Sequence, residues 1–400
     1  KTIGAKAATE IALKHVAELN TACLDKFDLT GVKVSQDARE LIADPAVDVV
    51  CELIGGEEPA KTFILEALNA GKNVVTANKM LLAKHGPELC AAALKNGVGL
   101  RYEAAVAGGI PIIKALREGL AANYVEFVYG ILNGTCNYIL SRMTYENLEF
   151  DETLQQAIAM GFAETPPDLD IEGHDTAHKC QIIASLAYSS EVPLNDIYVE
   201  GITKITHYDV AYAWEMGYVI KLLAIVRAVD GEIEARVHPT LVPQEHLLAS
   251  VRNEFNAVYV QADVADATLY YGRGAGMLPT ASAVIADVVD IARRSNAPAP
   301  PPFVYDVRKP VRDMGKIVSR YYLRLTTLDT PGVLGTVCTI LGNHGVSIAS
   351  CIQKEEHDEY KPVRVVLMTH ETQEASLCAA LEEIDRLDSI REATHMIRVL

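Results

Sequence analysis

Between residues 47 and 103 short apolar runs alternate with stretches of helical periodicity, and no other feature restricts the fold as much. Residues 47–53 (VDVVCEL) form a continuous apolar run with a polar end, as in a strand buried on both faces of a parallel sheet. Ile54, Gly55 and Gly56 turn out of it. Residues 60–70 have helical spacing and stop at Gly71, 73–76 read as a short strand, 79–95 as a helix closed by Gly97, and 98–103 as another strand. Upstream, 11–18 (IALKHVAE) read as a strand with Glu18 near its end, and Asp37 opens a helix that stops before Asp44 and Pro45. Such alternation predicts a doubly wound parallel sheet, which binds ligands at the carboxyl ends of its strands. Gly55, Gly56, Asn78 and Lys79 fall at such ends. A glycine-rich G-x-G-x-x-G turn should open a nucleotide-binding sheet of this kind, and none precedes Ile11. The later GRGAG (272–276) follows a strand far from the first unit. The reading therefore expects the first strand, phosphate loop and helix to be missing.

Beyond residue 103 the pattern changes. EAAVAGGIP (103–111) is small and flexible, and its carbonyls can face a hard cation beside the Glu103 carboxylate. Pro111 suits the start of a helix over 112–120. Residues 124–132 read as a strand leading through Asn133, Gly134 and Thr135 into a helix from Cys136, and Asp151 caps a helix over 152–160. Strand patterns at 221–229, 233–241, 257–265 and 267–271 make this part α+β, and a helix over 279–294 ends it. Prolines at 298, 300, 301 and 302 mark a linker over 295–317. The remainder, 318–400, runs strand (321–328), helix (331–344), strand (346–353), strand (362–368), helix (373–387), strand (390–399). That order gives a four-stranded antiparallel sheet with two helices on one face.

The densest chemistry lies in GFAETPPDLDIEGHDTAHK (161–179). Glu164, Asp168, Asp170, Glu172 and Asp175 crowd twelve residues, Pro166 and Pro167 hold the first part extended, and Gly173 turns sharply into a helix over 174–189. Ala177, Cys180, Ile183, Ala184 and Ala187 form its apolar face. Asp175 and Lys179 stand at i, i+4 and share a face. A lysine beside carboxylates at the head of a helix suits an ammonium-bearing substrate and proton delivery. The competing reading is a solvated acidic loop followed by a surface ion pair.

Charge and cysteine pattern exclude several classes. The net charge is −17, with no basic block, which argues against nucleic acid and anionic membranes as partners. The eight cysteines are scattered without a CxxC or Cys/His cluster, so a zinc site is not expected, and several lie in apolar runs and read as buried thiols of a reducing cytoplasm. No run of about 18 apolar residues marks a membrane span.

Four stretches together resemble homoserine dehydrogenase: ELIGG with VVTANKMLLA (52–82), EAAVAGGIPIIKALREGL with NGTCNYIL (103–140), the acidic stretch 161–179, and YYGRGAGMLPTASAV (270–284). The resemblance covers essentially the whole chain, with Pro166 standing where the family usually has aspartate. Residues 318–400, with DTPGVLG at 329–335, are similar to an ACT domain. The resemblance implies an α/β chain of three parts: a Rossmann-like nucleotide-binding domain (1–102) on which the helix 279–294 packs back, an α+β catalytic and dimerisation domain (103–294), and a ferredoxin-like βαββαβ ACT domain (318–400). It implies NADP- or NAD-dependent reduction of L-aspartate 4-semialdehyde to L-homoserine, in the biosynthesis of threonine, methionine and isoleucine, by a cytoplasmic dimer or tetramer.

It also implies roles. Lys179 donates the proton, Asp175 orients it and Lys79 assists. Glu164 binds substrate with Asp170, while Asp168 and Glu172 stay solvated. Ile54, Gly55, Lys79, Gly274 and Gly276 meet the cofactor, and Glu18 takes the acidic position that can bond an NAD ribose. A sodium ion uses the region of Glu103 with the carbonyls of Val106, Gly108 and Ile110; the competing reading is a tight glycine turn. In the C-terminal part, Asp329, Gly332 and Asn343 are expected to bind L-threonine as an inhibitor, the alternative being a part that only mediates oligomerisation. Two rivals for the whole chain are a reductase of another semialdehyde and an amino-acid-binding regulatory protein without turnover.

Overall fold

The computed structural model describes residues 2–7, 9–163, 165–294, 305, 308–354 and 362–400. The chain divides into two compact units. One comprises Lys1–Glu126, His178–Asn195 and Val260–Lys309, the other Phe127–Ala177, Asp196–Tyr259 and Pro310–Leu400. The boundaries drawn from sequence at 102, 294 and 317 do not coincide with this division.

In the first unit, β1 (His15–Ala17) pairs in parallel with β2 (Lys33–Ser35), and β3 (Val49–Glu52), β4 (Asn73–Thr76) and β5 (Leu100–Arg101) form a second parallel sheet. The helices Ala60–Asn69 and Lys79–Asn96 follow β3 and β4, so the βα alternation is as the apolar runs predict. β4 spans the predicted 73–76, whereas the other strands predicted up to residue 103 are shorter than expected. Only His15–Ala17 of 11–18 finds a partner strand. The last predicted strand stops at Arg101, because the Glu103 amide donates to Asp287 Oδ2 at 2.8 Å and the chain curls into a 3-10 turn, Glu103–Ala105. Residues Thr2–Ala7 form a helix where none was expected. The helix Met277–Arg293 lays Ala283, Val284 and Val288 against Val75 and Ala104, a core completed by Ile11, Val49, Ala77 and Ile291. It starts two residues before Pro279, whose missing N–H is harmless in a first turn.

In the second unit one sheet carries everything. It comprises β6 (Val125–Ile131), β7 (Tyr198–Val199), β8 (Tyr218–Val229), β9 (Glu232–Pro243) and β10 (Phe255–Ala262), which leads through a turn into β11 (Asp266–Arg273). A two-residue strand, β12 (Val318–Ser319), comes before β13 (Tyr321–Thr327), β14 (Ile348–Gln353) and β15 (Val363–Thr369); β16 (Thr372–Gln373) pairs with β12, and β17 (Ile390–Val399) closes the chain. The order is β10-β6-β8-β9-β17-β13-β15-β14. The last four are antiparallel, and the helices Val333–Asn343 and Glu374–Ile384 cover them around Leu323, Leu325, Leu341, Leu367, Leu377 and Ile384. The βαββαβ part is therefore continuous with the middle part, because β17 pairs in parallel with β9 at Arg398–Thr240 and Val399–Leu241.

Several local readings are corrected. Glu149, not Asp151, is the N-cap of the helix Phe150–Ala159, and Asp151 lies in its first turn. The helix after Pro111 is α-helical only over Ile112–Lys114 and widens into a π turn, Ala115–Gly119. Pro166 and Pro167 do not hold the acidic stretch extended, since Pro167 (φ −85, ψ 0) starts a one-turn helix, Asp168–Ile171. The helix His174–Tyr188 is buried on more than one face, Gln181, Ile182 and Ser185 included. Residues 295–304, 306 and 307 of the expected linker lie outside the described residues, and its later part is not loose. Ile233 N donates to Pro310 O and Arg312 N to Ile233 O, both at 2.8 Å. Cys90, Cys136 and Cys180 are buried, as expected of several of the cysteines, whereas Cys23, Cys51, Cys351 and Cys378 are exposed. Among the described residues no helix is long and apolar enough to cross a membrane.

Candidate active site

At the carboxyl ends of β3 and β4 one carboxylate organises the backbone. Glu52, 4% exposed, accepts the amides of Ile54 (2.7 Å) and Gly55 (3.1 Å) and the Thr76 hydroxyl (2.6 Å). Thr76 Oγ1 accepts the Asn78 amide at 3.0 Å. Asn78 then caps the helix Lys79–Asn96 through the Leu81 amide (3.1 Å) and donates to the Gly56 carbonyl at 2.7 Å. Gly55 and Gly56 sit at φ +78 and +72, where a side chain would strain the turn. The result is a rigid ledge that exposes Ile54 and fixes Lys79 as the first helical residue. Glu18 ends β1, its amide donating to Ser35 O and its Oε1 accepting the Asn20 amide, both at 2.9 Å.

The 103–111 loop packs on the 273–276 turn within the same unit. Gly109 N donates to Arg273 O at 3.0 Å, and a Cβ on Gly108 would stand 2.6 Å from Gly274 O. Gly276 (φ +112) is the N-cap of the helix Met277–Arg293. The Glu103 carboxylate accepts the amides of Ile113 (2.8 Å) and Lys114 (2.9 Å). Burial, with the charge of Asp287 beside it, pushes its pKa up to about 7. Both Glu103 oxygens thus serve a helix start, which corrects the expectation of a free side chain facing a cation. The Ile110 carbonyl accepts Ile112 N at 2.8 Å, whereas those of Val106 and Gly108 accept no hydrogen bond among the described residues. No group of three or more His, Cys, Asp or Glu side chains placed to hold a metal occurs among the described residues.

In the second unit the acidic stretch closes on one neutral amide. Asn133, 4% exposed, donates through Nδ2 to Asp170 Oδ1 (2.7 Å) and to Asp175 Oδ2 (2.8 Å). Its Oδ1 caps the helix Gly134–Glu146 at the Cys136 amide (2.8 Å). Thr135 donates to Phe162 O at 2.6 Å, and the Cys136 thiol to Asp170 O at 3.2 Å, so the helix start grips both sides of the loop. One turn further, Asn137 Nδ2 bonds the carbonyls of Asn253 (2.9 Å) and Phe255 (3.0 Å). Lys221, 2% exposed, donates to Asn137 Oδ1 at 2.9 Å and to Val251 O. Burial, then the nearby Arg252 charge, lowers the Lys221 pKa to about 7. Asp168 is exposed and Glu172 half-buried. Glu164 lies outside the described residues.

Asp175 stands in the first turn of the helix His174–Tyr188, and Lys179, 8% exposed, is one turn on along it. The spacing that pairs them in sequence therefore holds in a continuous helix. In the C-terminal part the expected trio does not assemble. Gly332 (φ +94) is the N-cap of the helix Val333–Asn343 and Asp329 Oδ1 accepts from Gln353 at 3.2 Å. Asn343 is the last residue of that helix, roughly 15 Å from its start at 1.5 Å per residue.

Sequence reasoning missed Glu52, Asn133, Asn137 and Lys221. Asn133 alone carried a usable signal, since Asn before Gly and Thr at a helix start reads as an N-cap, and an asparagine cap keeps a spare amide.

Comparison with known proteins gives a consistent result. A family model described as "Homoserine dehydrogenase" matches residues 111–289, one described as "Homoserine dehydrogenase, NAD binding domain" matches 2–103, and an ACT domain model matches 321–389. The chain is 46% identical to a homoserine dehydrogenase of Neisseria gonorrhoeae over 91% of this chain and 85% of that protein. It is 43% identical to one of Pseudomonas aeruginosa over 94% and 88%. A solved homoserine dehydrogenase structure from Thiobacillus denitrificans superposes with a TM-score of 0.94 at 43% identity, covering 100% of this chain and 92% of that one. A hyperthermophilic archaeal homoserine dehydrogenase in complex with NADPH superposes with a TM-score of 0.56 at 26% identity, covering 64% and 75%.

Proposed function

The chain belongs to the homoserine dehydrogenase family, and from that premise we propose that it reduces L-aspartate 4-semialdehyde to L-homoserine at the cluster around Asn133. It is an NAD(P)-dependent oxidoreductase with a C-terminal ACT domain. The observation that carries the substrate assignment is the single Asn133 amide holding Asp170 and Asp175, with Lys179 one helical turn beyond. A neutral amide donor brings two carboxylates to one point, and carboxylates so placed suit a substrate ammonium. Glu164 and Asp170 bind that ammonium.

The nicotinamide, when bound, supplies the hydride to the aldehyde carbon. Lys179 donates the proton to the oxygen as negative charge develops there, Asp175 orients the Lys179 ammonium, and Lys79 adds positive charge at the sheet edge. The ledge built by Glu52 fits a dinucleotide, because Gly55 and Gly56 offer backbone without a Cβ and Ile54 offers exposed apolar surface. Gly274 and Gly276 complete that side, and Glu18 meets the ribose. The cofactor is NADP or NAD. The carbonyls of Val106, Gly108 and Ile110 would hold a sodium ion, which would stiffen the 106–110 loop; a sodium-dependent rise in melting temperature, absent with lithium, checks it.

The reading extends to regulation and setting. The enzyme works as a cytoplasmic homo-oligomer on the route to threonine, methionine and isoleucine. L-Threonine binds near Asp329 and Gly332 and inhibits through the continuous sheet; a helix start with an open glycine suits a carboxylate. Asn343 of the same chain is too far along its helix to join them. The deciding measurement is homoserine-dependent reduction of NADP+ or NAD+ by the purified chain, with and without threonine. Threonine binding without any turnover would favour the regulatory protein, and turnover untouched by bound threonine would remove the inhibitor.

A further inference from the structure

Arg398 is the third residue from the end of the sequence, only 1% exposed, and has no part in the chemistry above. Its Nε and Nη2 form a two-pronged pair with Glu374 (2.7 and 2.6 Å). Its Nη1 reaches Glu200 at 3.0 Å, and its Nη2 the Tyr198 hydroxyl at 3.3 Å. Tyr198 in turn donates to Glu200 Oε2 at 3.0 Å. The reason they meet is topological. Both β7 and β17 run parallel to β9, β7 at Arg236 and Val237 and β17 at Thr240 and Leu241. The two strands lie end to end along one edge of β9, and Arg398 bridges the junction.

The other side of the 198–202 segment presses on the acidic loop, backbone against backbone. Ile202 N donates to Ile171 O at 2.8 Å. A Cβ on Gly201 would stand 2.2 Å from Ile171 O and 2.4 Å from Glu172 Cα. Gly173 (φ +85) packs against Val199 and the Glu200 carbonyl. Ile171, Glu172 and Gly173 are the three residues directly after Asp170, and Asp175 follows two residues later. With no side chain to deform at Gly201, a shift of this segment passes to the loop instead of being absorbed.

We infer that Arg398 is a positioning residue for the substrate: through Glu200 and the 198–202 segment, the C-terminal part of the chain sets the geometry of Asp170 and Asp175. The inference rests on the reading that those carboxylates bind the amino-acid substrate. It makes the C-terminal part a support of the active site with no effector bound. Breaking the Glu200 link frees the segment and hence the loop, while the Glu52 ledge that serves the cofactor is untouched.

The test uses the full-length chain and homoserine oxidation. E200A and Y198F each remove a link but leave the Arg398–Glu374 pair intact, so they carry the test even where R398M, which strands Glu374, fails to fold. E200A is expected to raise the homoserine KM about 3- to 30-fold, the usual span for a coupling residue outside a site. The KM for NADP+ or NAD+ is expected to stay within about twofold under the same principle. In a folded R398M background the E200A effect should largely vanish. An E200A enzyme that melts earlier but keeps its homoserine KM would show a merely structural tie and overturn the inference. D170N, measured alongside, separates the two failures. If D170N also leaves the homoserine KM unchanged, the substrate reading is at fault; if D170N raises it and E200A does not, the inference is.

Discussion

The carboxyl ends of β3 and β4 in the first unit and the acidic loop in the second are held by opposite means. At the ends of β3 and β4 a charged group, Glu52, serves backbone amides and a hydroxyl. At the acidic loop a neutral group, Asn133, serves two charges. The first arrangement turns a carboxylate into scaffold: its charge ties down the Ile54 and Gly55 amides and the Thr76 hydroxyl, and the ledge becomes rigid. The second orders two carboxylates through a donor that carries no charge of its own. Cofactor binding needs shape along an extended molecule, whereas binding a small ammonium-bearing substrate needs field at a point. The span of contacts differs too. Glu52 reaches no further than Thr76, but the loop is gripped by Asn133, backed by Lys221 through Asn137, and braced by the 198–202 segment.

The comparison can be broken most sharply at Lys179. If it is the proton donor, Lys179→Ala lowers turnover about 10²–10⁴-fold with cofactor affinity unchanged. Near-normal steady-state turnover would leave the acidic loop a binding site without its acid. Next is Asn133→Ala, which removes the amide shared by Asp170 and Asp175 and brings two like charges into play. The homoserine KM should rise by the equivalent of about 1.5–3 kcal/mol, as for hydrogen bonds to charged groups, with the cofactor KM constant. Glu52→Gln tests the other half and should show the mirror image. It keeps shape but loses the strong acceptor, so cofactor affinity should fall by about 1–2 kcal/mol while the homoserine KM holds. If Asn133→Ala and Glu52→Gln shift the same parameter, the two halves are not separate scaffolds.

The remaining prediction concerns pH and stability. The Lys221 pKa is lowered to about 7 in the fold by burial, from an ordinary 10.5. Between those values the unfolded chain binds more protons than the folded one, so Lys221 makes stability rise with pH over that window, by up to about 1.4 kcal/mol per pH unit. Below about 7 its full penalty is present, and above 10.5 it is gone. Denaturant unfolding of wild type and Lys221→Met at pH 7, 8 and 9 checks this. The variant should lack the rising component, and parallel curves would show that Lys221 is charged in the fold.

How much of this was legible in the residues differs between the halves. The βα alternation, the turn at Ile54, Gly55 and Gly56, and Lys79 at a helix start followed from local pattern, although β3 is not buried on both faces as its apolar run predicts, Val49 and Val50 being half-buried and Cys51 exposed. Glu52 was visible only as the polar end of such a run, because what its carboxylate bonds depends on where β4 lies. Likewise Asp175 and Lys179 share a face by spacing alone, and the structure keeps both in one helix. Pro166 and Pro167 misled, since proline fixes φ but leaves ψ free, and Pro167 at ψ 0 opens a helical turn.

The sequence by itself determined the order of elements, the clustering of carboxylates over 164–175, the family, and the βαββαβ pattern of the C-terminal part. Periodicity and spacing are properties of neighbours along the chain, and neighbours suffice to write them. Only the tertiary structure decided which amide holds Asp170 and Asp175, that Asn343 stands at the far end of the helix from Gly332, that Glu103 serves a helix start, and that Arg398 reaches Glu200. Arg398 and Glu200 are 198 residues apart, and their meeting depends on β7 and β17 sharing one edge of β9. No local pattern encodes that choice, because an edge offers the same row of amides and carbonyls to any strand, and the selection is made by everything else that packs.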